Sequence, residues 1–102
     1  MTSVVQQTVV EIGLPKKFTD YADREGKTVQ DVYAEAVQSF IDSYQETPLP
    51  FLASPIQGET LVFRLDKDLK LKAQALCKGK SRARRLYYTA IHNYAKTIGL
   101  IQ

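Results

Sequence analysis

The chain has few of the residues on which histidine, cysteine or metal chemistry depends. Its 102 residues include one histidine, His92, and one cysteine, Cys77. A single cysteine cannot form a disulfide within the chain, and Cys77 has no partner for a metal site. No Ser/His/Asp set, phosphate-binding loop or cluster of metal ligands can be assembled, and we expect His92 on a helix surface. The sequence therefore predicts no enzyme, no cofactor and no metal.

Long apolar runs are also missing. No run approaches the roughly 18 residues of a membrane-spanning helix. The first residues lack the basic and apolar regions of a signal peptide. Together with the single cysteine, which suits a reducing compartment, these absences predict a cytoplasmic protein without a membrane partner.

The length and the charge limit the fold and the partner. A chain of 102 residues with 44% hydrophobic residues forms one small domain, or two motifs that share one core. Residues 1–53 carry four basic and eight acidic side chains, whereas residues 54–102 carry ten basic and three acidic ones. A basic second half predicts a polyanionic partner. Two unevenly solvated surfaces are the alternative interpretation.

One nine-residue pattern occurs twice, 54 residues apart. Residues 32–40 (VYAEAVQSF) and 86–94 (LYYTAIHNY) both have the order apolar, Tyr, x, x, Ala, aliphatic, x, x, aromatic. On an α-helix this order puts the apolar side chains on one stripe. Gly-Lys-Thr precedes the first copy and Gly-Lys-Ser the second, and Thr28 and Ser81 suit the N-cap. The repeat indicates an internal duplication.

The remaining elements fit the same duplication. In the first half we expect a frayed segment, a strand and two helices, at residues 1–6, 7–14, 16–25 and 28–44. Val10, Ile12 and Leu14 share the buried face of this strand. In the second half we expect a strand and two helices, at residues 60–65, 66–78 and 81–98. Asp66 suits an N-cap, and Gly26, Gly79 and Gly99 suit helix ends.

Residues 45–59 form the connector between the halves, because three prolines and a glycine exclude a long regular element. Its apolar side chains predict that it lies against the body of the protein: Leu49, Phe51, Leu52 and Ile56. Docking of a protein partner is the alternative. The predicted organisation is a first motif at residues 1–44, a Pro-rich connector at 45–59 and a second motif at 60–102.

A single strand–helix–helix unit cannot bury its own apolar faces, and a lone strand leaves its backbone groups unpaired. Two units solve both problems by pairing their strands and packing four helices around one core. We therefore expect a mainly α fold with a short two-stranded antiparallel β-ribbon. An intramolecular pseudo-dimer and a homodimer satisfy the same contacts.

These motifs together resemble the ribbon-helix-helix family of DNA-binding proteins, the Arc/MetJ/CopG class. The resemblance rests on both alternating strands, on Gly26-Lys27-Thr28 and Gly79-Lys80-Ser81, and on the two apolar helix patterns. It covers most of the chain outside the connector. Two copies in one chain are similar to tandem members such as the TraY-type accessory proteins of plasmid conjugation. The resemblance implies a tandem ribbon-helix-helix fold (βαα–βαα) and sequence-specific binding of double-stranded DNA, by a transcriptional repressor or a relaxosome accessory protein.

The resemblance also implies which side chains contact DNA. The strands of the family lie in the major groove, so the outward side chains would meet the bases: Gln7, Val9, Glu11, Thr60, Val62 and Arg64. The starts of the two core helices meet phosphates, which assigns Lys27, Thr28, Lys80, Ser81, Arg82, Arg84 and Arg85. Glu11 and Gly13 depart from the usual polar or basic strand residues of the family. We therefore expect the second half to supply most of the affinity, and the target to be asymmetric.

A different class of function remains open. The acidic first half and the apolar connector can form a protein–protein interaction module, or an antitoxin. Further association of molecules on DNA is compatible with the family.

Overall fold

The computed structural model describes residues 3–46, 51–77 and 83–101. Six elements follow one another along the chain: β1 (Ser3–Val10), α1 (Leu14–Glu25), α2 (Val29–Glu46), β2 (Glu59–Asp66), α3 (Lys67–Cys77) and α4 (Ala83–Thr97). The expectation of a mainly helical chain with a two-stranded antiparallel sheet is confirmed. In these three ranges, no helix is both long and apolar enough to cross a membrane.

The two strands of one chain pair with each other along their whole lengths. Ser3 lies opposite Asp66 at one end of this ribbon, and Val10 lies opposite Glu59 at the other. Successive side chains of a strand point to opposite faces. The inward face covers the helices and includes the buried side chains of Thr8, Val10, Leu61, Phe63 and Leu65. The other face of the ribbon is turned outward.

The predicted position of the first strand is wrong by four residues. Residues 3–6, expected to be frayed, belong to β1, and residues 11–14 lie beyond it. The reason is the partner strand: β2 begins at Glu59, so it has no residue opposite positions 11–14. A strand continued there would leave backbone groups unpaired. The chain turns instead at Gly13, whose φ of 86° favours glycine. Ile12, expected to be buried, is 75% exposed, and Leu14 is buried at the start of α1.

The helices lie where the apolar periodicity predicted them, and several predicted caps are present. Thr28 Oγ1 accepts a hydrogen bond from the Asp31 N–H at 3.1 Å. Asp66 Oδ2 accepts one from the Asp68 N–H at 3.1 Å. Gly26 and Gly99 end α1 and α4 with positive φ angles. The predicted helix end at Gly79 and the predicted cap at Ser81 lie outside the described residues.

The repeated helix pattern supplies much of the core. Nine of its ten apolar positions are buried: Val32, Tyr33, Ala36, Val37, Phe40, Leu86, Tyr87, Ala90 and Ile91. Four aromatic rings run through this core, and the centroid separations are 5.2 Å for Phe18–Tyr33, 5.7 Å for Tyr33–Phe63 and 5.4 Å for Phe63–Tyr87. Such a pair adds roughly 0.5–1.5 kcal/mol beyond its buried area. The run joins α1, α2, β2 and α4.

Phe51 of the connector packs on α2. The ring of Phe51 lies 6.0 Å from that of Phe40 and 5.9 Å from that of Tyr44 on α2. Leu52 and Ile56, by contrast, were expected to lie against the body, but Leu52 is 37% exposed and Ile56 is fully exposed. Leu49 lies outside the described residues. The described part of the connector is therefore anchored by the aromatic contacts of Phe51 and exposes the side chain of Ile56.

Because of its buried tyrosines, the folded protein should lose stability at alkaline pH. Burial raises the pKa of Tyr33 and of Tyr87 from 10.0 to about 12. The folded state then holds these protons more tightly than the unfolded chain, so the stability they contribute is present below pH 10 and is lost as the pH rises through 12. We expect the free energy of unfolding, measured by urea denaturation, to fall over this interval.

The matched variants are Tyr87→Phe and Tyr44→Phe. Tyr87→Phe removes the hydroxyl of one of these tyrosines and should reduce the alkaline fall. Tyr44→Phe changes a partly exposed ring and should leave it in place. Identical falls in the wild type and in Tyr87→Phe would contradict the assignment.

Candidate nucleic-acid interface

The outward face of the ribbon carries four directly opposed pairs of side chains: Ser3–Asp66, Val5–Arg64, Gln7–Val62 and Val9–Thr60. Val5 is 54% exposed and Val62 is 56% exposed. Gln7, Thr60 and Arg64 are also exposed. Polar side chains in such rows can bond base edges, and a valine methyl can contact a thymine methyl. The face therefore presents alternating hydrogen-bonding and apolar groups to solvent.

Five of the six predicted base-contact residues lie on this face: Gln7, Val9, Thr60, Val62 and Arg64. The prediction that Glu11 lies on the exposed face of the strand is wrong, because β1 ends at Val10. The Glu11 carboxylate instead accepts a hydrogen bond from the Tyr88 hydroxyl of α4. Gly13, also expected on this face, lies in the turn before α1.

Three residues of the outward face were missed by the sequence analysis: Ser3, Val5 and Asp66. The hydrophobic alternation of β1 does not mark its faces, because the inward Thr8 is polar while the outward Val5 and Val9 are apolar. One signal was available, since Gly13 before Leu14 and Pro15 marks a turn into a helix. That turn would have moved the strand toward the N-terminus.

The starts of the two core helices flank the ribbon. Gln30, the second residue of α2, accepts a hydrogen bond through Oε1 from the Arg64 N–H at 2.8 Å. Near the start of α4, the Arg84 carbonyl accepts one from Thr8 Oγ1 at 2.8 Å. The start of α2 thus lies beside β2, and the start of α4 lies beside β1. Helix starts favour anions, because their first N–H groups lack intrahelical partners and carry the positive end of the dipole.

The two helix starts differ in charge. The first turn of α4 carries exposed Arg84 and Arg85 and no acidic residue. The first turn of α2 carries Asp31. Lys27, just before α2, pairs with Glu35 at 3.1 Å, and this hydrogen bond raises the pKa of the lysine. The start of α4 is therefore the more favourable position for an anion.

The predicted phosphate-contact residues divide into two groups. Four lie at the helix starts: Lys27, Thr28, Arg84 and Arg85. The other three lie outside the described residues: Lys80, Ser81 and Arg82. The Thr28 hydroxyl oxygen accepts the capping hydrogen bond. Its O–H is not used in that bond and can donate to a phosphate oxygen.

Glu11, Tyr88 and His92 form a compact cluster under the end of β1. Glu11 Oε2 accepts from the Tyr88 hydroxyl and lies 3.4 Å from His92 Nδ1. His92 Nδ1 is also 3.3 Å from the Tyr88 hydroxyl. Burial and the Glu11 carboxylate raise the pKa of Tyr88. The His92 side chain is 17% exposed, so it is partly buried against the turn and not fully open on the helix surface. The cluster fastens the turn after β1 to α4.

Comparison of the chain with protein-family models, with curated proteins and with solved structures gave no significant match. In the described part of the chain, no three His, Cys, Asp or Glu side chains are placed to hold a metal ion. The ribbon and its two flanking helix starts are therefore the features of the molecule that indicate its function.

The Glu11 cluster leads to a stability prediction. We expect Glu11→Ala to lower the free energy of unfolding by about 1–2 kcal/mol, because the Tyr88 hydroxyl loses a charged partner. Glu25→Ala removes an exposed carboxylate from the end of α1 and should change stability by less than about 0.5 kcal/mol. Urea denaturation of the two variants measures this difference. Equal effects would show that the cluster does not fasten the turn.

Proposed function

We propose that the chain binds double-stranded DNA by placing the outward face of its β-ribbon in the major groove. The observation that carries this proposal is the exposed double row of side chains with a helix start on each side. The B-DNA major groove, about 12 Å wide, admits a two-stranded ribbon. Phosphates border that groove, and in this proposal the helix start on each side of the ribbon contacts them.

The side chains of the face suit the edges of base pairs. Arg64 can bond guanine O6 and N7, Gln7 can bond adenine N6 and N7, and Val62 can contact a thymine methyl. Arg64 and Gln7 stand diagonally across neighbouring pairs of the ribbon. Hydrogen-bonding and apolar side chains thus occur in a fixed order along one ribbon, and this order supports sequence-specific binding.

The unequal helix starts support an asymmetric target. Arg84 and Arg85 favour phosphate contact beside β1, whereas Asp31 opposes it beside β2. The affinity would then come mainly from the second half of the chain. One side of the target site would be held more tightly than the other.

We further propose a tandem ribbon-helix-helix organisation, in which the two halves are related by a pseudo-twofold axis. A cleft of about 280 Å³ between α2 and α4 supports it, because its eight lining residues fall into four pairs with the repeat spacing of 54 residues. Ala36 and Ala90 form one such pair, and Phe40 and Tyr94 form another. A transcriptional repressor and a conjugation accessory protein both suit this organisation.

The first test is binding to random duplex DNA and to the DNA upstream of the gene, over a series of salt concentrations. We expect a preferred fragment and a steep loss of affinity with salt, because released counterions drive phosphate contacts. Arg64→Ala should cost about 1–3 kcal/mol on the preferred fragment and reduce the preference.

The matched control is Arg24→Ala, which removes an exposed arginine from the last turn of α1, away from the ribbon. It should leave the preference intact. If the wild type prefers no fragment, or if the two arginine variants behave alike, the ribbon is not the DNA-contacting surface.

A second candidate function is a protein-interaction module. It is favoured by Ile12, which is 75% exposed, and by Ile56, which is fully exposed. Both lie within three residues of the ribbon end where Val10 faces Glu59. Ile56→Ser should leave DNA binding unchanged if the ribbon is the functional surface. A loss of DNA binding in that variant would show that the ribbon is not the whole DNA-contacting surface and that the connector contributes to it.

A further inference from the structure

Arg64 is held at two points by two different groups. Its guanidinium lies across the outward face, where Nη1 donates to Ser3 Oγ at 3.4 Å. Its backbone N–H donates to Gln30 Oε1 at 2.8 Å, on the edge of the ribbon. The first contact orients the side chain, and the second ties its backbone to the first turn of α2.

The Gln30 contact contributes little to stability. Gln30 and Arg64 are both exposed, so water competes with the glutamine as acceptor and the net contribution of the hydrogen bond to stability is modest. Gln30 is part of α2, so its hydrogen bond connects the strand to that helix, whereas a water molecule would not. The hydrogen bond fixes the distance between the start of this helix and the backbone of Arg64.

The other half of the molecule has a corresponding tie. Arg84 stands 54 residues after Gln30, at the repeat spacing, and its carbonyl accepts from Thr8 Oγ1 at 2.8 Å. Each core helix is thus joined to the neighbouring strand at the same position of the repeat, but through a different chemical group. On the β2 side the helix supplies the side chain, whereas on the β1 side the strand supplies it.

We propose that Gln30 is a positioning residue for Arg64, an inference that rests on the proposed DNA binding. With α2 placed against the DNA backbone, Gln30 holds the base-contacting arginine in one register relative to that helix. Without Gln30, the Arg64 amide loses its tie to the start of α2, although the buried contact of Phe63 with Tyr33 still holds the strand itself. Arg64 would then lose its selectivity for one base while the phosphate contacts remained.

The test compares the affinity for the preferred duplex with that for random duplex in Gln30→Ala. We expect the ratio to fall about 3- to 10-fold, the worth of one hydrogen bond. The affinity for random duplex and its salt dependence should stay unchanged, because no charge is removed. Gln30→Glu keeps an acceptor for the Arg64 N–H. Its added negative charge should weaken binding to both duplexes alike and so preserve the ratio.

The matched control is Gln38→Ala, which removes a glutamine from the same helix that bonds Asp42 rather than the ribbon. Amide hydrogen exchange supplies a readout without DNA, in which the Arg64 amide should exchange several-fold faster in Gln30→Ala. If the wild type prefers no duplex, the proposed function fails and this inference fails with it. If the preference survives in Gln30→Ala, or if the Arg64 amide exchanges at the wild-type rate, only the inference is overturned.

Discussion

The backbone hydrogen bonds between β1 and β2 are the interaction on which the rest of the structure depends. Each strand has the other as its partner, and the whole of α1 and α2 separates them along the chain. This pairing decides which side chains point outward, and it closes the ribbon over the aromatic run of the core. It also decides where β1 ends, since a strand without a partner leaves backbone groups unsatisfied. The proposed DNA contact therefore depends on the register of this pairing.

The helices convert the ribbon from a marginal hairpin-like element into a rigid surface. Two strands alone are barely stable in water. Here Phe63 of β2 packs between Tyr33 and Tyr87, so α2 and α4 hold the ribbon from below. Gln30 then joins the start of α2 to the edge of β2, and Thr8 joins the start of α4 to the inward face of β1. The arrangement couples the core to the surface, because the same two helices supply the buried rings and the starts that flank the proposed interface.

The sequence predicted the parts of the structure that depend on neighbours in the chain. The helices followed from the apolar stripe of residues 32–40 and from caps such as Thr28, because both signals act within a few residues. The position of β1 was not predicted correctly, because β1 ends opposite Glu59, the first residue of β2, which is far along the chain. Most base-contact candidates still lie on the outward face, since moving the strand by four residues preserves the alternation. The contacts of Glu11 with Tyr88 and of Gln30 with Arg64 were out of reach, because no local pattern marks a pair brought together by the fold.

The central claim is that the outward face of the ribbon occupies the major groove. Methylation interference with dimethyl sulfate on the preferred duplex tests it most directly, because the reagent modifies guanine N7 in the major groove and adenine N3 in the minor groove. The account predicts that methylated guanines within the site block binding while methylated adenines are tolerated. Interference from adenine N3 alone would place the protein in the minor groove and contradict the account.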